Sequence, residues 1–213
     1  SREFPGRVRG TPISEAAIVG LGNGLALAGM LPVCEIMFGD FITLAADQWI
    51  NHAAKFRYMY AEQVRVPLVV RTPMGGRRGY GSTHSQSLEK HFLGLPGTQV
   101  LALHHRHDPA DLYGGLFASL DRPTLVVENK LLYGMKVAAD PPAGFAWEQS
   151  DEPFPTTRLR PEARPDVTIV CYGGMLAEVE KAALTLFDEH EIVAEVICPQ
   201  RLYPLNVAPI LDA

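Results

Sequence analysis

At 213 residues, with 47% apolar and 20% charged side chains, the chain can bury a sizeable core, and neither global disorder nor low complexity fits it. A formal charge of -5, with no basic run longer than Arg77-Arg78, offers nucleic acid no electrostatic footprint, so no nucleic-acid partner is expected. No apolar stretch approaches the roughly 20 residues that span a bilayer, and residues 1–10 are polar and arginine-bearing, which predicts a soluble, cytoplasmic protein with no membrane contact.

In chain order, residues 14–28 predict a helix on which Ala16, Gly20, Gly24 and Ala28 recur along one stripe, where another backbone could approach closely. The run Gly20-Leu21-Gly22-Asn23-Gly24 lacks the spacing of a dinucleotide loop and follows no strand, so it reads as a packing surface. Residues 31–38, bounded by Gly29 and Gly39, predict a buried strand, and 66–71, 99–103 and 123–128 predict three more. Helical patterns fall between them at 41–60, 87–92 and 109–120. That alternation predicts an α/β fold, a parallel sheet flanked by helices. The cluster His104-His105-Arg106-His107-Asp108 has no further ligands at a metal-binding spacing and reads as a strand end feeding the next helix.

From residue 134 to 165 the composition shifts to Pro141-Pro142, Pro153, Pro155, Pro161 and Pro165 among acidic and small residues, which predicts a linker without regular structure. Beyond it lie a strand at 167–172, an amphipathic helix at 175–190 and a strand at 192–198. One such unit cannot make a core alone, so it docks on other chains or the rest of its domain lies elsewhere. The expected division is 1–134, a linker at 135–165, and the beginning of a second α/β domain at 166–213. Cys34, Cys171 and Cys198 each sit in an apolar strand-like run and are expected to be buried free thiols, without disulfide or metal use.

Two residues stand out chemically. Glu15 follows Ser14 at a helix start, where on its own it reads as a first-turn or capping-box acid. His84 follows the glycine-rich run 75–81, a loop too polar and flexible to be a core element. Arg77 and Arg78 in that loop read as solvated charges, with an acidic substrate or a partner chain as alternatives.

Several motifs then occur in one order: Thr11-Pro12-Ile13-Ser14-Glu15, the small-residue helix, Cys34-Glu35-Ile36-Met37-Phe38, Asp47-Gln48, Arg71-Thr72-Pro73-Met74-Gly75-Gly76, His84-Ser85-Gln86-Ser87 and Val127-Glu128-Asn129-Lys130-Leu131-Leu132-Tyr133-Gly134. In that order the chain up to Gly134 resembles the beta subunit of the thiamine diphosphate-dependent 2-oxo acid dehydrogenase component, of pyruvate or branched-chain type, which carries a transketolase-like pyrimidine-binding domain. The segment from Val167 onward resembles the opening of that subunit's transketolase C-terminal-like domain.

The resemblance implies that Glu15 is catalytic and cofactor-binding, sharing a proton with the aminopyrimidine ring of thiamine diphosphate. It implies that Phe41 packs on that ring and that Met37 lines the pocket, ordinary core packing being the alternative for both. It makes His84 catalytic, stabilising or protonating the reacting oxygen or assisting acyl transfer to lipoamide. Magnesium would be held mainly by an alpha subunit carrying the diphosphate-binding motif, with no metal ligand from this chain, and backbone carbonyls near His104 often surround a monovalent cation in the family. The implied assembly is an alpha2beta2 heterotetramer acting on a small-molecule 2-oxo acid, with a lipoyl acyltransferase component as acceptor.

Against that family the chain is expected to be short at both ends, because a first helix and strand would precede Thr11 and the C-terminal domain would continue past Ala213. The expected function is oxidative decarboxylation of a 2-oxo acid with acyl transfer. The alternatives are a split transketolase-like or acyloin-forming carboligase subunit, a non-catalytic truncated interface or regulatory module, and a fragment of an intact subunit.

Overall fold

The computed structural model describes residues 2–212. Helix α1 (Glu15–Leu27) starts after an extended Ser14 and stops at Ala28, where Gly29 takes a φ of 83° that a side chain would resist. The chain then runs through β1 (Val33–Glu35), an irregular helical segment ending in α2 (Phe56–Met59), β2 (Val69–Pro73), β3 (Gln99–Ala102), α3 (Pro109–Ser119) and β4 (Thr124–Glu128). The start of α3 is capped by Asp108, which accepts a 2.8 Å bond from the Ala110 N–H, with Pro109 in the first turn.

Strands β1, β2, β4 and β3 pair in that order, all parallel. β3 and β4 are buried at every position, as central strands covered on both faces must be. Val70, Val100, Ala102, Leu125 and Val127 face α1 and the segment after β1, whereas Val69, Leu101, Leu103 and Val126 face Leu112 and Leu116 of α3. The parallel, helix-flanked sheet expected from the alternation is therefore present.

Residues 41–60, expected as one helix, are broken. A 3-10 segment spans Gly39–Ala45, a π segment spans Gln48–Ala53, and only Phe56–Met59 is α-helical. The buried anchors explain the break: Ile42 to Ala45 is a three-residue step that a tight 3-10 turn takes, and Trp49 to Ala53 a four-residue step that a wide π turn takes. The helix expected at 87–92 shrinks to one turn, Glu89–His91, too short to repay helix nucleation. The small-residue stripe of α1 does not pack inside the chain, since Ala16, Gly24 and Ala28 are exposed. Gly22, on the other side of α1, is the glycine that packing requires: a Cβ there would lie 2.5 Å from Cys34 Sγ and 2.8 Å from Leu68 Cδ1.

The proline-rich segment is also a correction. It contains β5 (Phe145–Gln149) and β6 (Thr156–Pro161), an antiparallel pair. Phe145, Trp147, Thr156, Thr157 and Leu159 are strand-forming types, and Pro141, Pro142, Pro153 and Pro155 lie in the turns outside the strands. These strands complete a second sheet, β5-β6-β8-β7, with β7 (Val167–Val170), α4 (Leu176–His190) and β8 (Ala194–Pro199). Leu159, Leu176, Ala183, Ala194, Val196 and Cys198 form its core, so the strand-helix-strand unit finds its missing partners upstream in its own chain. One residue after β8, strand β9 (Arg201–Tyr203) joins the first sheet antiparallel to β3, and a short α5 (Ala208–Leu211) follows. No helix among the described residues is long and apolar enough to cross a membrane.

Candidate active site

The motif residues converge where the C-terminal end of β1 meets the loop after β2. From β1 the chain passes through Phe38 into the 3-10 segment that holds Phe41, and Asp40 between them is buried. Asp40 Oδ1 accepts from the Gln86 backbone N–H at 3.2 Å and from Gln86 Nε2 at 2.8 Å, and the Gly75 N–H donates to the Gln86 carbonyl at 3.0 Å. These bonds close the glycine-rich loop onto the strand end and fix the position of His84.

The His84 ring stands edge-on to Phe38, with centroids 4.9 Å apart, and to Phe41 at 5.1 Å. Its Nδ1 lies 3.0 Å from the Thr83 hydroxyl, and among the described residues Nε2 has no partner. Arg78 donates to the His84 carbonyl at 2.9 Å, while its Nε and second terminal nitrogen are buried and unbonded. Lys130, from the end of β4, places Nζ 3.5 Å from the Phe38 ring centroid, and Tyr80 flanks the same ring at 5.6 Å. Burial comes first among the causes that lower the Lys130 ammonium below its ordinary range, followed by the neighbouring Arg78 cation.

Glu15 occupies the first turn of α1, which packs on the segment holding Phe41; Ile18 and Phe41 adjoin one core cluster. The residue is 9% exposed overall, and among the described residues its carboxylate makes no hydrogen bond or ion pair and is not sealed from solvent. The capping-box alternative is not formed, because the Ser14 side chain bonds no helix N–H. A carboxylate that reaches the surface without a protein partner is free to accept a bond from a ligand. The donor it lacks is what a protonated or amino-substituted ring nitrogen supplies, so the residues present fit an aminopyrimidine.

The structure thus brings Phe41 and His84 together and sets Glu15 on the helix beside them, whereas Met37 is 58% exposed and outside the ring cluster. Arg77, expected as a solvated charge, pairs with Glu178 of α4 at 2.6 Å. Asp40 and Tyr80 carried no reading in the sequence, Phe38 and Lys130 stood only inside ordered motifs, and Arg78, expected as a solvated charge, has two buried nitrogens. A signal existed for Asp40, the single acid inside an otherwise apolar stretch 36–42, but none for Lys130, whose role depends on where β4 ends.

A second polar cluster lies at the other side of the strand ends. Glu128 of β4 accepts from Arg71 Nε at 3.1 Å and from the same guanidinium's terminal nitrogen at 2.6 Å, and also from Tyr113 (2.5 Å) and Tyr133 (2.6 Å). Burial alone would raise the Glu128 carboxyl, but these donors outweigh it and hold it below the usual range. The cluster borders a cleft of about 560 Å³ that also touches His104, His105 and His107. Those histidines do not assemble a metal site; no group of three or more His, Cys, Asp or Glu among the described residues could hold an ion. His105 and Arg106 instead bind Glu180 of α4, at 3.1 Å and 2.5 Å.

The fold is a parallel sheet flanked by helices, with an unbonded carboxylate at the start of α1 and a loop histidine set against two aromatic rings. The model of the transketolase pyrimidine-binding domain matches residues 1–136, and the chain belongs to that family. It is 39% identical over 207 residues to the pyruvate dehydrogenase E1 component subunit beta-1, mitochondrial, of Arabidopsis thaliana, covering 97% of this chain and 55% of that relative. It is 35% identical to the beta subunit of acetoin:2,6-dichlorophenolindophenol oxidoreductase of Cupriavidus necator, covering 97% of this chain and 59% of the relative. To the 2-oxoisovalerate dehydrogenase subunit beta of Bacillus subtilis it is 34% identical, covering 97% and 61%. The chain therefore spans a little over half the length of these curated relatives. A solved split-gene transketolase, an inactive beta4 tetramer, shares the fold with a TM-score of 0.69 at 23% identity, covering 99% of this chain and 63% of that one.

Proposed function

We propose that the chain is the pyrimidine-binding, beta-type part of a heteromeric thiamine diphosphate enzyme that oxidatively decarboxylates a 2-oxo acid and passes the acyl group to lipoamide. The observation that carries this reading is the Glu15 carboxylate at the start of α1, open and without a partner among the described residues. Residues 1–134 supply the half-site, and the second domain draws its first two strands from residues 145–161, ahead of the expected 166–213.

When bound, the cofactor would supply a carbon nucleophile for the 2-oxo group and an electron sink for the decarboxylation. Glu15 holds a proton at the pyrimidine ring nitrogen, which favours the reactive imino form. Phe41 presents an aromatic wall to that ring, with Met37 at the pocket edge. His84, oriented through Nδ1 by Thr83, offers Nε2 to the substrate oxygen. An alpha chain that carries the diphosphate and magnesium ligands would complete the site in an alpha2beta2 assembly.

The test is co-expression with an alpha chain followed by calorimetric titration with thiamine diphosphate and magnesium. Saturable binding that Glu15→Gln abolishes is expected; equal binding and turnover in that variant would refute the reading. The acetoin-linked relative favours a second reading, a carboligase-type subunit passing its acyl unit to another acceptor. Reductive acylation of a lipoyl carrier separates the two.

A further inference from the structure

Cys171 immediately follows β7, and Cys198 is the fifth residue of β8. These strands are parallel in the register Val170↔Ile197, and the Cys171 N–H donates to the Ile197 carbonyl at 2.9 Å. The next paired positions are the two cysteines. Neighbouring strands lie about 4.8 Å apart with paired side chains on one face, within the range of roughly 4.4–6.8 Å between Cα atoms that a disulfide requires.

Their surroundings differ. Cys198 is fully buried in the core of the second sheet. Its thiol is held well above its ordinary range, first by the neighbouring Cys171 thiol and then by burial. Cys171 is half-buried and lines a cleft of about 370 Å³ shared with Gly75, Arg77, Asn129 and Gly174. Cys34 lies on the first sheet, buried, with its thiol directed to the Ile18 carbonyl at 3.4 Å.

We propose that Cys171 and Cys198 form a peroxide-responsive dithiol, in which Cys171 meets the oxidant in the cleft and Cys198 resolves it by closing a reversible cross-strand disulfide. The Cys171 thiolate attacks one peroxide oxygen and the O–O bond breaks; the departing hydroxide takes a proton to become water, leaving a sulfenic acid. The Cys198 sulfur then displaces hydroxide from that sulfenic acid, and its own proton completes a second water. The two thiols lose two electrons and the peroxide gains them. The new bond ties the residue two positions before the Gly173–Met175 turn to the adjacent strand and removes a thiol from the cleft wall.

The test treats the native full chain with hydrogen peroxide, blocks remaining thiols, reduces, and labels the released thiols for peptide mass spectrometry. The expected result is that Cys171 and Cys198 enter the released pool together, that a non-reduced peptide joins them, that Cys34 stays out, and that dithiothreitol reverses the change. Cys198→Ser should leave a dimedone-reactive sulfenic acid at Cys171, and Cys171→Ser should protect Cys198 at the same dose, with melting temperatures near that of the parent in both. The proposal is overturned if no joined peptide forms, if Cys171 proceeds to sulfinic acid in the parent chain, or if Cys198 oxidises as fast without Cys171.

Discussion

Glu15 carries a carboxylate that reaches solvent at the start of α1 and is bonded to nothing among the described residues. Replacing it with glutamine is therefore expected to change the stability of the cofactor-free chain by no more than about 0.5 kcal/mol, in urea unfolding, while abolishing cofactor-dependent turnover of the assembled enzyme. A structural acid would behave in the opposite way, so a loss of stability in Glu15→Gln would count against the assignment. His104 provides a different signature. Burial first, and then His107 and His105, hold its imidazole down to about 3, far below the 6.5 of a free histidine. Between those values the unfolded chain binds a proton that the folded chain refuses, so stability is full above about 6.5 and falls as pH drops through the window. From about pH 6.5 to about pH 5 the parent is expected to lose roughly 2 kcal/mol more than His104→Gln, measured as the difference between their urea midpoints.

Among the elements, α4 packs on its own sheet through Leu176 and Ala183 and is tied to the segment after β3 by charge. Glu180 projects from it to accept from Arg106 Nε at 2.5 Å and from a terminal Arg106 nitrogen at 3.1 Å, and it also meets His105. Arg106 is 5% exposed, so Glu180→Gln would strand a buried cation and is expected to cost roughly 3–5 kcal/mol in denaturant unfolding. That contact was not legible in the sequence, because 74 residues separate the partners and the local reading of His104 to Asp108 pointed only to a strand end. The parallel sheet was legible because apolar runs such as 123–128 are buried on both faces and carry no competing period. β5 and β6 were hidden because the prolines in their turns outweighed the few strand-forming residues between them. In the site, Glu15, Phe41 and His84 could be named from ordered motifs. Asp40, Arg78 and Lys130 act through loop closure and strand-end geometry, which no spacing encodes.

At the scale of the whole molecule, the two sheets share more than a covalent connection. β8 ends at Pro199 and β9 begins at Arg201, leaving only Gln200, which is fully buried, between a strand of one sheet and a strand of the other. Arg201 is held by Glu152 at 2.7 Å, and the Ala102 N–H donates to the Gln200 carbonyl at 2.8 Å. A single calorimetric transition is expected, and two resolved transitions would show that the sheets melt independently. The crossing also has a mechanical consequence. A chain that runs without slack from one sheet into the edge of the next leaves no hinge there, so a protease cut between β4 and β5 should yield pieces that stay clasped until both sheets are pulled apart together.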